Sequence, residues 1–322
     1  MPSRSAPPSP MLAALGPPPT GQRWAFEVKW DGARAVAVIE DAAVRLFSRN
    51  GNDISGSYPE VVDSLASALA GRDAILDGEI VALEKGRPSF SRLQRRMHVQ
   101  HPTTRLLREY PVTFYVFDLL AVDGESMTAR PYLDRRNALD GLALSESHLQ
   151  VPPYWTGVDG ARMLTLAREH HLEGVVAKRI DSVYRPGRRA TTWIKTPIRK
   201  ETEGIVCGWV DGTGAARGGI GSLLLGAYDD ERRLVFIGAV GSGFTMAIRK
   251  ALREYLVTIE RPTSPFAAPP PDLDIRGAHW VNATLVVDAE YREYAGGRLR
   301  HPSWKRLRDD KAARDVDLPG RH

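Results

Sequence analysis

The chain has 322 residues, with 44 Lys and Arg against 39 Asp and Glu, a formal charge of +5. An apolar share of 43% supplies real cores, which excludes general disorder, and the length suits two domains. One cysteine, Cys207 in GIVCGWV, excludes a disulfide framework and a cysteine-based zinc site, and no run approaches the ~18 apolar residues of a membrane span. The basic excess suits a polyanionic partner without identifying one. MLAALG near the start is too short for a signal segment and is flanked by prolines, so a cytoplasmic location is expected.

After a proline-rich start come three strands, RWAFEVKW, ARAVAVIED and AVRLFSRNG, with short polar turns between them. YPEVVDSLASALAG has helical spacing and closes at Gly71, AILDGEIVAL reads as a strand pair or one bent strand, and FSRLQRRMH as helix. PVTFYVFDLLAVDG is a long buried strand turning at Asp123-Gly124. PYLDRRNALDGL and VDGARMLTLAREHHLEG are helices, the second expected to end at Gly174, and EGVVAKR and TTWIKTP are strands. Beyond residue 200 the pattern becomes strand, Gly-rich loop, strand, turn, strand, helix, a proline-rich loop over 261–271, and further strands. A small five-stranded barrel with one inserted helix, the OB-fold, fits this order. The expected fold class is therefore α+β, with one domain over 1–200 and a barrel over 201–322.

Polar islands interrupt the apolar strands of the first domain: Lys29-Trp30-Asp31-Gly32-Ala33-Arg34, Ser48-Arg49-Asn50-Gly51, Asp77-Gly78-Glu79, Phe117-Asp118, Glu173-Gly174 with Lys178, and Trp193-Ile194-Lys195. A basic cluster, Arg308-Asp309-Asp310-Lys311, follows near the C-terminus. Charges on strands apolar on both faces cost several kcal/mol if buried alone, so they should converge on one another or on a charged ligand. Lys29 is the candidate nucleophile; its amine must lose a proton to attack, and attack on phosphorus gives a phosphoramidate, with Gly32 allowing close approach of the phosphate. Asp77-Gly78 also reads as a hairpin turn, Phe117 as plain core and Arg308 with Lys311 as a solvated helix face. The glycines of 212–221 do not match a phosphate-binding P-loop.

Taken in order, K-x-D-G-x-R, S-R-N-G, D-G-E, F-D, E-G-V-V-x-K, W-x-K and R-x-D-K resemble the covalent nucleotidyltransferase superfamily over residues 27–311. More narrowly, they are similar to ATP-dependent DNA ligases, above all to the ligase module of bacterial end-joining ligases. The resemblance implies a nucleotidyltransferase domain followed by the barrel. It makes Lys29 the residue that becomes adenylated and gives the AMP ribose and phosphate region to Arg34 and Glu79. Phe117 would stack on adenine, Lys195 would contact the α-phosphate, and Arg49 would meet the 5′-phosphate of a nick. Glu27, Val28 and Lys178 join the nucleotide site, Glu173 and Asp31 would place Mg²⁺ or Mn²⁺, and Arg308 and Lys311 would orient departing pyrophosphate. One departure stands out: the second lysine of W-x-K-x-K is Pro197, with Arg199, Lys200 or Lys178 as replacements.

The implied partner is nicked double-stranded DNA, joined by a monomer with the help of a DNA-end-binding protein. Trp24 lies so near the first residue that no N-terminal DNA-clamping domain is expected. The alternatives are an RNA ligase, a GTP-using RNA capping enzyme and a non-catalytic nucleic-acid-binding protein.

Overall fold

The alternating apolar runs of the first domain build two sheets. The structure, a computed structural model, describes residues 7–268 and 277–320. The first six residues of the proline-rich start, and positions 269–271 of the loop expected over 261–271, lie outside the described residues. The backbone divides into two units, Met1–Ile198 and Arg199–His322.

In the first unit, one sheet runs in the order Leu12–Leu15, Arg189–Pro197, Gly174–Arg179, Trp24–Val28, Trp155–Thr156. The other follows the path Ala43–Ser48, Ala33–Glu40, Ala74–Glu84, Val112–Val122, Glu125–Ser126. Helix Pro59–Ala68 buries Val61 and Leu65 in the core of this second sheet. Met11, Leu120, Tyr184 and Trp193 form a smaller core that joins the sheets.

Four local expectations are corrected. MLAALG holds a strand, Leu12–Leu15, parallel to Arg189–Pro197, so its backbone partners come from the far end of the unit. Asp77-Gly78 is no hairpin turn but the middle of Ala74–Glu84, paired on both sides. FSRLQRRMH forms only the short helix Phe90–Gln94; His98 takes a left-handed backbone (φ 65), and a second helix, Thr104–Glu109, follows. The helix expected to run to Gly174 spans Gly160–Glu169, and Gly174 instead begins the strand Gly174–Arg179.

In the second unit the strand Lys200–Asp211 pairs along one side with Ile220–Tyr228. Its other side serves Val286–Tyr291 over its first half and Ala278–Val281 over its second. Ile220–Tyr228 continues to Leu234–Val240, and Val286–Tyr291 to Ser303–Arg308. With helix Met246–Thr258 inserted before the last strands, this is the OB-type barrel, filled by Ile205, Cys207, Leu223, Leu225 and Val287. Arg308 thus ends a barrel strand rather than lying on a helix.

Candidate active site

The two sheets of the first unit enclose a cavity of about 190 Å³. Its lining holds six cationic side chains, Lys29, Arg34, Arg49, Lys178, Arg189 and Lys195, against two carboxylates, Glu27 and Glu79. Strand pairing explains the convergence. Val176 lies opposite both Glu27 and Lys195, and Lys178 opposite Trp193, so alternate residues of three strands share one face. On the other wall Arg34 is directly across from Glu79. A larger hollow of about 550 Å³ on the far side of Val28 is lined mainly by apolar residues such as Val158, Met163 and Leu166, and does not include Lys29.

Lys29 follows directly on the strand Trp24–Val28, and its backbone N–H donates to the Gly174 carbonyl at 2.9 Å. Its Nζ is 2.5 Å from Glu173 Oε2, with both side chains largely buried. Gly174 makes this possible: at φ 146, a Cβ there would sit 2.2 Å from the Thr196 carbonyl oxygen. Gly32 has a similar purpose, because a Cβ would stand 2.3 Å from the Ile80 carbonyl oxygen. Its space is taken by the neighbouring strand, not left for a phosphate.

Arg34 grips Asp77 through Nε and Nη2, each at 2.6 Å, and the Tyr184 hydroxyl donates to the same carboxylate at 2.6 Å. The Tyr184 oxygen accepts from Met11 N–H, and Arg34 donates to the Met11 carbonyl, so the segment that carries the lining residues Leu12 and Ala13 is tied to Asp77. Burial pushes the Glu79 carboxyl up to about 7, opposed by Arg34 and Lys29. Phe117 is the extra residue of a β-bulge: Asp77 pairs with Asp118 and Gly78 with Val116, leaving Phe117 unpaired. The bulge sends Phe117 to the cavity while Asp118, fully buried, holds Arg135 at 2.7 Å. Arg34 lies 4.6 Å and Lys178 4.4 Å from the Phe117 ring centroid.

Lys178 is engaged by Glu27 at 2.7 Å and lies over the Phe117, Trp193 and Tyr132 rings. Burial lowers its amine and Glu27 opposes the shift. A lysine so held is a poor substitute for the missing second lysine of the tryptophan motif. Arg199 and Lys200 belong to the second unit, where Arg199 is 3.7 Å from Glu290. Arg189, on the same strand as Trp193 and Lys195, adds a cation to the cavity that sequence reasoning missed. Arg49 lines the cavity from an exposed turn, and Val28 and Lys195 line it as well.

Arg308 pairs with Glu203 (3.0 Å), Asp288 (3.1 Å) and Asp310 (2.6 Å), and Lys311 with Glu203 (3.0 Å). Asp31 is not among the side chains lining the cavity, and among the described residues no three His, Cys, Asp or Glu side chains form a metal-binding group. Glu173 stands beside Lys29 as a carboxylate, the kind of oxygen ligand that Mg²⁺ commonly takes together with phosphate oxygens.

A largely buried lysine just past a strand end, facing a carboxylate beside a cation-rich cleft, suits an enzyme that transfers a nucleotide through a covalent lysine. Comparison with known families is specific. Residues 10–196 match the ATP dependent DNA ligase domain and residues 216–311 the ATP dependent DNA ligase C terminal region, so the chain belongs to the ATP-dependent DNA ligase family. It is 40% identical over 96% of its length to the multifunctional non-homologous end joining protein LigD of Mycolicibacterium smegmatis, and 36% identical over 96% to that of Pseudomonas aeruginosa. It spans only 39% and 36% of those two proteins. Among solved structures, a mycobacterial DNA ligase D complexed with ATP and MES is 39% identical, with 97% of this chain and 98% of that one covered and a TM-score of 0.57. The ligase domain of Mycobacterium tuberculosis LigD is likewise 39% identical, covering 96% and 97%, with a TM-score of 0.55.

Proposed function

We propose that this chain seals nicks in double-stranded DNA with ATP, through a Lys29–AMP intermediate. The observation that carries the reading is Lys29 Nζ against Glu173 in a cavity whose cations outnumber its carboxylates six to two. Lys29 Nζ attacks the α-phosphorus, an N–P bond forms, the α–β P–O bond breaks and pyrophosphate leaves. AMP then passes to the 5′-phosphate of the nick, and attack by the 3′-hydroxyl closes the strand and releases AMP.

Arg34 and Glu79 serve the ribose and phosphate region, Phe117 the face of the base, and Lys195 the α-phosphate. Glu27, with Val28 beside it and Lys178 bonded to it, puts an acceptor next to a donor, the pattern on the amino edge of adenine. Arg49 is assigned to the 5′-phosphate. Arg308 and Lys311 remain the proposed ligands of departing pyrophosphate, and each must first exchange its carboxylate partners. Mg²⁺ or Mn²⁺ is assigned to Glu173 and the bound phosphates, with Asp31 kept as a more remote contributor; when bound, the ion neutralises charge on the phosphate oxygens.

Among the described residues no helix is long and apolar enough to cross a membrane. A role in end joining fits the names of its LigD relatives, and a cytoplasmic monomer acting with a DNA-end-binding partner is proposed on that basis. RNA ligation, capping and pure binding gain no support from the matched families. The test is incubation with α-labelled ATP and a divalent metal beside Lys29→Ala, followed by sealing of a nicked duplex. Label retained on the denatured wild type and lost in the variant supports the reading. A wild type that carries no adenylate by mass and takes up none overturns it.

A further inference from the structure

Helix Tyr132–Asp140 reaches both walls of the nucleotide cavity. Tyr132 and Arg136, four residues apart and so on one face of the helix, are 0% and 1% exposed. The Tyr132 hydroxyl donates to Glu27 Oε1, and Arg136 Nη1 lies 3.9 Å from the same oxygen. Arg136 also donates to the carbonyl oxygens of Phe117 at 3.2 Å and Pro152 at 2.7 Å. Glu27 stands in the first sheet and Phe117 in the second, so one helix face ties the carboxylate at the cavity to the backbone of the aromatic residue opposite.

The three-step chemistry needs neither side chain, and an apolar residue at 132 would fill the same core. What the hydroxyl and the guanidinium add is direction. With the Tyr132 hydroxyl donating to it and the Arg136 guanidinium close by, the Glu27 carboxylate is held in one orientation as an acceptor. A fixed acceptor favours a base that offers N–H at that point. Adenine presents its 6-amino donor where guanine presents a 6-oxo acceptor, and a site built around a buried polar group discriminates strongly against a ligand that leaves it unpaired.

We propose that Tyr132 and Arg136 are positioning residues that set the choice of nucleobase, holding Glu27 so that a 6-amino purine nucleotide is accepted and a 6-oxo purine refused. This rests on the nucleotide reading above. The test follows covalent labelling by ATP and GTP over a range of concentrations, in the wild type, in Tyr132→Phe, which keeps the ring, and in Arg136→Lys, which keeps the charge but loses the fork.

In Tyr132→Phe the KM for ATP should rise about tenfold, the effect of one lost hydrogen bond to a charged group, and the ATP-to-GTP ratio of kcat/KM should fall by about as much. Arg136→Lys should move the ratio the same way. A ratio unchanged in folded variants, whatever happens to the melting temperature, overturns the proposal by making the contacts structural only. A wild type that uses inosine triphosphate as well as ATP overturns it without any variant. A wild type that takes label from neither nucleotide and carries no adenylate overturns the nucleotide reading first.

Discussion

Asp77 has no exposed surface and accepts from three donors, two on Arg34 and one on Tyr184. Removing one partner of a buried pair leaves the other charge uncompensated, at roughly 3–5 kcal/mol. Asp77→Ala should therefore cost about 3 kcal/mol in urea unfolding and weaken adenylation by loosening Arg34; a variant as stable as the wild type would remove Asp77 from this role. Glu79 permits a pH argument. Its folded-state value, about 7, lies above that of an ordinary carboxylate. The folded chain therefore keeps that proton longer than the unfolded chain, and stability falls as pH rises between the two values. In Glu79→Gln this loss disappears, so the melting temperature of the variant relative to wild type should climb from about pH 5 to about pH 8. A difference that stays flat with pH would contradict the burial of Glu79, and labelling with ATP should drop in the variant throughout.

Neighbouring side chains on one element receive different tasks. On helix Tyr132–Asp140, Arg135 is fully buried and donates to Asp118, while Arg136 turns to Glu27 and Phe117. In the short segment after helix Phe90–Gln94, Arg96 is fully buried against Glu60 and the carbonyls of Ser57 and Tyr110, whereas Arg95 is exposed. The crossing of the strands at Gly174 makes a sharper prediction. A methyl group there meets the Thr196 carbonyl oxygen and the Pro197 Cα, both backbone atoms of the adjacent strand. Gly174→Ala should lower stability by about 2 kcal/mol and displace Glu173 from Lys29, reducing label uptake well below that of the wild type. Full activity with unchanged melting would mean that the strands have room to part.

Each unit carries its own apolar core, and the distribution of charge differs between them. In the second unit Arg306, Arg308, Lys305 and Lys311 are each paired with carboxylates of the barrel. In the first, cations outnumber carboxylates in the cavity, with Arg49 at an exposed turn. Binding to nicked DNA should rest on phosphate contacts, so affinity should fall by at least about a hundredfold between ~50 and ~200 mM salt, with little dependence on sequence. An affinity that hardly changes with salt would point to a different kind of contact.

Lys29, Arg34, Glu79, Glu173 and Lys195 could be picked out in the chain because they break into or flank apolar runs where packing alone would select apolar residues, and short-range order preserves that contrast. The two-domain build was legible for a similar reason: strand and helix periodicities are local. Tyr132, Arg136, Tyr184 and Arg189 gave no such signal. Tyr132 meets Glu27 across 105 positions, Tyr184 meets Asp77 across 107, and Met11 meets Tyr184 across 173. A tyrosine or arginine on a short, polar helix reads the same whether it faces water or a buried carboxylate. Which one it faces depends on how two sheets and a helix pack. The proposed nucleophile was therefore legible in the local sequence, while the network that holds the cavity in shape belongs to the tertiary fold, because hydrogen bonds between distant segments exist only once the chain has closed on itself.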